Sequence, residues 1–145
     1  MLHDPATREA IRARIVALRP DSPRRWGRMT TDQMLWHLNA GIDNCLGRHH
    51  VEPLRLPLPH ALVKFVVLNL PWRKGKTPTA REFLAREQYD FEAEKAKLLH
   101  LIDEVTARPL DGAWPDSAFM GPMTGKDWSR MGAKHLDHHL TQFGV

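Results

Sequence analysis

Helix-start signals recur along this chain, and they constrain its fold more than any other feature of the sequence. Asp4 is an N-cap residue type, and Pro5 follows it at the position where helices favour proline. Thr30 and Gln33 have the spacing of a capping box, and Thr124 and Asp127 form a similar pair before the last helical segment. Apolar residues after these signals recur with the helical period, and little of the chain alternates as a strand does. The sequence therefore predicts an all-α protein.

Five helices are predicted from these starts and from the glycines and prolines that end them. The third is rich in β-branched residues, so a buried strand is the alternative interpretation of that segment. Irregular, proline-containing segments join the helices, which favours an up-and-down four-helix bundle with an additional short helix and long connections. The predicted helices cover about residues 5–18, 30–47, 60–70, 80–107 and 125–143, and the predicted long connections include residues 47–59 and 71–79.

The length and composition of the chain suit one globular domain, residues 1–145. The single cysteine, Cys45, excludes an intrachain disulfide and favours a reducing compartment. No secretory signal pattern opens the chain, and no apolar run is long enough to span a bilayer. We therefore expect a cytoplasmic protein with no membrane partner.

The net charge of +4 is concentrated near the N-terminus, where residues 1–30 hold seven arginines and three acidic residues. Such a basic patch can attract nucleic acid. No aromatic or recognition-helix motif accompanies it, so a solvated helical face explains the charge better. Nucleic acid is therefore not expected as a partner.

The last predicted helix carries three histidines within five positions: His135, His138 and His139. At about 100° per residue, His135 and His139 lie one turn apart on the apolar face, while His138 lies at its edge. Two imidazoles one turn apart can reach the same ion, and burying both without a shared partner is costly. The spacing alone leaves a metal site and an ordinary buried pair both open.

In the second predicted helix, His37 lies at the edge of the inward apolar stripe. Gln33 and Asn44 share that edge, and their amides are predicted to orient the His37 ring. Gly41 and Gly132 lie on the same sides as the histidines, where their missing side chains predict space for a ligand or substrate. A hydrogen-bonded histidine without a metal is the alternative interpretation of His37.

The run H-x-x-H-H-x-x-Q, preceded about a hundred residues earlier by a helical histidine, resembles the DinB-like (YfiT-like) superfamily of metal-binding four-helix bundles. The likeness spans nearly the whole chain. It is most specific to a bacterial branch known mainly as a domain of unknown function, through the stretches WGRMTTDQMLWHL, PWRKGKTPTAREF and FMGPMTGKDWSRMGAKHLDHHLTQFGV.

The resemblance implies a ligand set for this chain. In the superfamily, one histidine from an early helix and two from the last bundle helix bind a divalent metal, commonly zinc or nickel, with positions open for water. At the matching positions the ligands are His37, His135 and His139. His138 and Gln142 match the motif without being ligands in its usual pattern, so Gln142 is expected beside the site.

The chain departs from the superfamily motif after its last histidine. Members commonly continue with arginine and glycine before the glutamine, where this chain has Leu140 and Thr141. A substrate role that those residues play elsewhere is therefore not carried over. Characterised relatives include thiol-dependent transferases and isomerases, while many members have no assigned activity, so the resemblance does not fix the reaction. It favours a metal-dependent enzyme acting on a small-molecule substrate, with a low-molecular-weight thiol as a further cofactor.

Three neutral imidazoles would leave a divalent ion with open positions, where a bound thiol or water loses its proton near neutral pH. A thiol transferase and a hydrolase both suit such a site. Asp43 and Asp137 are predicted to point away from it, so His138 is the candidate acid–base group. The alternative hypothesis is a non-catalytic bundle whose histidines hold a structural ion, completed by a fourth ligand such as His138, or lie in a homodimer interface.

Overall fold

The computed structural model describes residues 1–52, 57–75 and 80–145. Over these residues the chain forms α-helices and one short 3-10 helix, with no β-strand, and this confirms the predicted all-α class. The strand alternative for the third segment is excluded, since that segment is helical. The helices are α1 (Pro5–Ala17), α2 (Thr31–Cys45), α3 (His60–Asn69), α4 (Phe91–Ala107) and α5 (Gly125–Gln142).

Three of the helices begin where the sequence predicts, because side chains there satisfy the free backbone amides of the first turn. The Asp4 carboxylate accepts an amide of α1 at 2.8 Å. The Gln33 side chain accepts the Thr30 amide at 3.1 Å at the start of α2. At α5, the Thr124 hydroxyl accepts the Asp127 amide at 3.2 Å, and the Asp127 carboxylate accepts the Thr124 amide at 3.1 Å.

The fourth helix is shorter than predicted. α4 begins at Phe91, capped by the carboxylate of Asp90, and residues 81–83 form a separate 3-10 helix. The segment between them is irregular, and the Asp32 carboxylate on α2 accepts its Tyr89 amide at 2.8 Å. A single helix through this region was therefore a wrong prediction, since the Asp90 cap and the bond from Tyr89 hold the chain out of helical conformation.

Four of the helices contact one another as a group. α2 contacts both α4 and α5, and α1 also contacts both of them, while α3 packs on α5. This packing is compatible with a helical bundle. Burial of each large aliphatic side chain in such a core contributes about 1.5–3 kcal/mol. The core includes Ile11, Ile15, Met34, Leu35, Leu38, Leu98, Ile102, Leu136 and Leu140.

The predicted long connections lie partly outside the described residues, which exclude 53–56 and 76–79. Their described parts are irregular, as expected. Among the described helices, none is both long and apolar enough to cross a membrane. The packing of α2 against α5 is the feature that matters most for the histidines, because these two helices carry them.

Candidate metal centre

Three histidine side chains converge between α2 and α5. His37 lies on α2, and His135 and His139 lie one turn apart on α5, as their spacing predicts. One ring nitrogen from each lies within 4.8 Å of the others. Two nitrogen ligands of a tetrahedral zinc ion lie about 3.4 Å apart, so small side-chain rotations would bring all three into one coordination shell. The donor set and the spacing fit a metal ion.

Each of two rings is held from its far side, and this fixes which nitrogen faces the cluster. His37 Nδ1 lies 2.9 Å from the Phe83 carbonyl oxygen, and His139 Nδ1 lies 2.8 Å from Oε1 of Gln142. Because both partners only accept, each Nδ1 carries the proton and each Nε2 keeps a lone pair. The Nε2 lone pair of His139 therefore faces the cluster, while His37 Nε2 accepts from His135 Nε2 at 2.9 Å, a bond that a cation would replace.

Gln142 is itself oriented by the backbone. Its Nε2 donates to the Trp26 carbonyl at 2.7 Å, which turns Oε1 toward His139. This contact places Gln142 beside His139. Outer partners of this kind hold a ligand ring at the angle that metal binding requires.

Gln33 and Asn44 do not orient His37, and the prediction for them was wrong. Gln33 caps α2 and also donates to the Glu87 carbonyl at 3.1 Å, while Asn44 donates to the His49 carbonyl at 2.7 Å. Both amides are thus engaged by nearby backbone. The backbone carbonyl of Phe83, in the 3-10 helix, orients His37 instead. Any residue type can supply a backbone carbonyl, so the sequence did not reveal this contact.

The two glycines do not leave space for a ligand. A Cβ atom on Gly41 would lie 3.2 Å from both Nδ1 and Cε1 of His135, so the space at Gly41 is filled by the histidine ring. A Cβ on Gly132 would meet Leu2 at 3.4 Å, in the N-terminal segment. The prediction of a cavity at these positions was therefore wrong, although Gly41 does border the cluster.

Burial keeps the three rings neutral at physiological pH. His37 and His139 are only 6% and 9% exposed. Burial, with added repulsion from His37, lowers the pKa of His139 to about 3 and holds the pKa of His135 well below its usual range. Burial also lowers the pKa of His37. Neutral imidazole is the form that coordinates metals, so the environment favours binding.

His138 lies beside the cluster without joining it. Its ring centroid is 5.1 Å from that of His139, and it is half-buried between the indoles of Trp26 and Trp72. Burial lowers its pKa as well. His138 also lines a pocket of about 250 Å³, which includes both indoles. This pocket provides open space near the histidines, whereas the positions beside Gly41 and Gly132 do not.

The cluster has three candidate ligands. Within residues 1–52, 57–75 and 80–145, no other group of three or more histidine, cysteine or acidic side chains has a geometry that suits a metal ion. The aspartates point away, as predicted: Asp43 pairs with Lys97 at 2.9 Å, and Asp137 with Arg14 at 2.6 Å. His49 bonds to a backbone carbonyl instead. A shell of three imidazoles therefore leaves room for further ligands.

Comparison of the chain with protein-family models, with curated proteins and with solved structures gives no match. The chemistry of the site therefore rests on its donor set, its distances and its burial.

Proposed function

We propose that this protein binds one divalent metal ion through His37, His135 and His139, and that the ion serves a reaction on a small molecule. The observation that carries the proposal is the convergence of one ring nitrogen from each histidine within 4.8 Å. The outer hydrogen bonds leave two Nε2 lone pairs facing the cluster. Zinc and nickel are the proposed ions, since imidazole suits both.

A three-histidine set is typical of catalytic metal sites, whereas structural zinc sites have four protein ligands. A divalent ion in such a set supplies Lewis acidity and lowers the pKa of a bound water or thiol toward neutrality. We infer a metal-dependent transferase or hydrolase. The thiol-dependent transferase is preferred because the sequence resembles a superfamily that contains such enzymes.

The chain's own residues have distinct roles in this proposal. The Phe83 carbonyl and Gln142 orient His37 and His139. His138 borders the pocket and is neutral at pH 7, so it can accept a proton from a substrate group there. His138 is the proposed acid–base residue.

We also propose that the fold is the up-and-down four-helix bundle of the DinB-like superfamily. The grouping of α1, α2, α4 and α5, with α3 as the additional helix, supports this topology. The origin of the three histidines, one from α2 and two from α5, is the arrangement that the sequence resemblance implies. A cytoplasmic location stays a prediction.

Two observations favour this function over a non-catalytic bundle. A structural ion needs a fourth ligand, and the described residues add no histidine, cysteine or carboxylate to the three. Histidines that bridge a dimer must face outward, whereas His37 and His139 are buried. A homodimer formed through another surface stays a prediction.

Zinc titration of the metal-free protein by calorimetry tests the metal site. We expect one zinc per chain for the wild type and for His100→Ala, which alters an exposed histidine on α4. We expect His37→Ala and His139→Ala to bind at least a hundredfold more weakly, because each removes one of three ligands. Equal affinity in all four proteins would refute the proposed ligand set.

Activity assays test the catalytic role. Zinc-loaded wild type is screened for conjugation of small thiols to electrophiles and for hydrolysis of small esters. We expect His138→Ala to keep its zinc and its melting temperature while losing most turnover, and His139→Ala to lose both zinc and turnover. Turnover that survives in zinc-free His139→Ala would show that the reaction does not use this centre.

A further inference from the structure

The pocket beside the histidine cluster combines indole faces with ammonium groups. Its volume is about 250 Å³, slightly below the usual range of about 300–1,000 Å³ for small-molecule sites. Such a volume suits a ligand of roughly ten non-hydrogen atoms. Its lining includes Trp26, Trp72, Lys74, Lys134, Asp137 and His138.

Two lysines lie over the two indoles. Lys74 Nζ lies 4.8 Å from the ring centroid of Trp26, and Lys134 Nζ lies 5.3 Å from that of Trp72. The ring faces stabilise the ammonium groups at these positions. The pocket therefore presents flat apolar surfaces and positive charge together.

The positive charge is not cancelled inside the pocket. Asp137 is the acidic residue of the lining, and its carboxylate accepts from Arg14 at 2.6 Å. Lys134 donates to the carbonyls of Val67 and Leu70, both at 2.6 Å, and these acceptors carry no net charge. Over the described residues, neither lysine of the lining pairs with a carboxylate. An anionic ligand would supply the missing counter-charge.

The pocket shares a wall with the metal centre. The Trp72 ring centroid lies 5.8 Å from that of His135 and 5.4 Å from that of His138. His138 in turn contacts His139. A molecule bound in the pocket is therefore separated from His135 and His139 by a single ring, that of Trp72 or that of His138.

We propose that this pocket binds a small organic monoanion, a carboxylate on a planar apolar body, as the substrate of the histidine centre. The indoles of Trp26 and Trp72 contact the body, and the ammonium groups of Lys74 and Lys134 bind the carboxylate. The role as substrate rests on the function proposed above, whereas binding of the anion does not.

Indole N–H signals in nuclear magnetic resonance spectra test the pocket, with benzoate as the probe and benzyl alcohol as its uncharged analogue. We expect benzoate to shift the signals of Trp26 and Trp72, which line the pocket, and to leave those of Trp36 and Trp114 in place. Metal-free protein is used first, because benzoate can also coordinate zinc directly. The titration is then repeated with zinc-loaded protein.

The variant Lys74→Gln removes one positive charge from the lining. We expect benzoate to bind about fivefold more weakly to Lys74→Gln, as for loss of a partly exposed ion pair, with benzyl alcohol unaffected. Lys126→Gln is the matched control, since Lys126 is exposed at the start of α5 and outside the lining. It should bind benzoate as the wild type does.

Three results would overturn the proposal: equal affinity for benzoate and benzyl alcohol, equal benzoate affinity in Lys74→Gln and wild type, or no shift of the Trp26 and Trp72 signals. Zinc titration of the same samples separates the two proposals. Zinc binding without benzoate binding would reject the pocket alone, and benzoate binding without zinc binding would reject the metal centre alone.

Discussion

Two of the three proposed ligand rings of this protein are oriented before any metal arrives. The Phe83 carbonyl holds the His37 ring, and Gln142 holds the His139 ring. Both bonds place the proton on the nitrogen that faces away from the cluster. Setting the tautomers of His37 and His139 in advance reduces the rearrangement and the entropy loss on binding, which favours metal affinity.

Replacing Gln142 with leucine should weaken zinc binding about 10–100-fold, because the acceptor that orients His139 is removed. The change also leaves the Trp26 carbonyl without its partner and costs about 1–3 kcal/mol of stability. Competition with a coloured chelator measures the affinity. Gln88→Leu, at an exposed position, should leave the affinity unchanged. Unaltered affinity in Gln142→Leu would show that this contact does not orient the ligand.

The stability of the metal-free protein should fall in acid. Burial lowers the pKa of His139 to about 3, whereas a histidine in an unfolded chain titrates near 6.5. Between those values only the unfolded chain binds the proton, so stability rises with pH in that window and is level above it. The slope contributed by this residue is at most about 1.4 kcal/mol per pH unit.

Urea unfolding of wild type and His139→Gln at about pH 7, 6 and 5 measures that slope. We expect the wild type to lose more stability on acidification than the variant, which lacks the titrating group. An equal loss of stability on acidification in the wild type and in His139→Gln would contradict the strongly lowered pKa of His139.

The sequence predicts the histidine pair on α5 but not the residues that surround it. Helical period alone places His135 and His139 on one inward face, while His37 needed the family resemblance to be chosen as the third ligand. The Phe83 carbonyl could not be foreseen, since a backbone acceptor has no residue signature. Gln33 was predicted to orient His37 because of its position, but its side chain caps α2 instead.

Among the helices, the contact of α2 with α5 determines whether the histidines meet. Gly41 lies at this contact, where the His135 ring fills the space that a side chain would occupy. Glycine within a helix is unfavourable by about 1 kcal/mol relative to alanine. The close approach of the ring explains why this helix tolerates it.

The variant Gly41→Ala should therefore separate stability from metal binding. Its Cβ would lie 3.2 Å from the His135 ring, which must shift by a few tenths of an ångström. We expect roughly tenfold weaker zinc binding, from a displaced ligand, with the strain offset in part by better helix propensity. Gly132→Ala meets Leu2 at 3.4 Å and should gain stability without a change in zinc affinity. Equal zinc affinity of both variants and wild type would refute this account of Gly41.

Helix starts are the best-predicted elements because capping is local. Asp4, Thr30 and Thr124 mark their helices through contacts within three residues. The start of α4 also has a local cap, since the Asp90 carboxylate accepts the Ala93 amide at 3.0 Å, and the prediction overlooked it. The second contact that keeps the preceding segment out of the helix is the bond from Tyr89 to Asp32 on α2. Local patterns do not reveal a contact between residues so far apart in sequence.

For the molecule as a whole, the histidine cluster joins α2 and α5 at their point of contact, so the proposed metal binding would be coupled to folding. An unfolded chain does not hold three distant imidazoles together. Any ion that binds only the folded state stabilises it by an amount set by the ion concentration and its dissociation constant.

Zinc should accordingly raise the melting temperature. At a free concentration a hundred times the dissociation constant, the stabilisation is about 2.7 kcal/mol, or about 5–10 °C for a chain of this size. Differential scanning calorimetry measures the shift, and a chelator should reverse it. His37→Ala should show no shift, since it lacks one ligand. A wild type that melts at the same temperature with and without zinc would contradict coupling of the site to the fold.

X-ray absorption at the zinc edge is the sharpest test of the three-histidine centre, because it counts the ligands and identifies their atoms. We expect three imidazole nitrogens at about 2.0–2.1 Å together with one or more light atoms from solvent. His139→Ala should lose one imidazole from the fitted shell or bind no zinc. A zinc ion bound by sulfur, by four imidazoles or by carboxylates would contradict an open centre built from His37, His135 and His139.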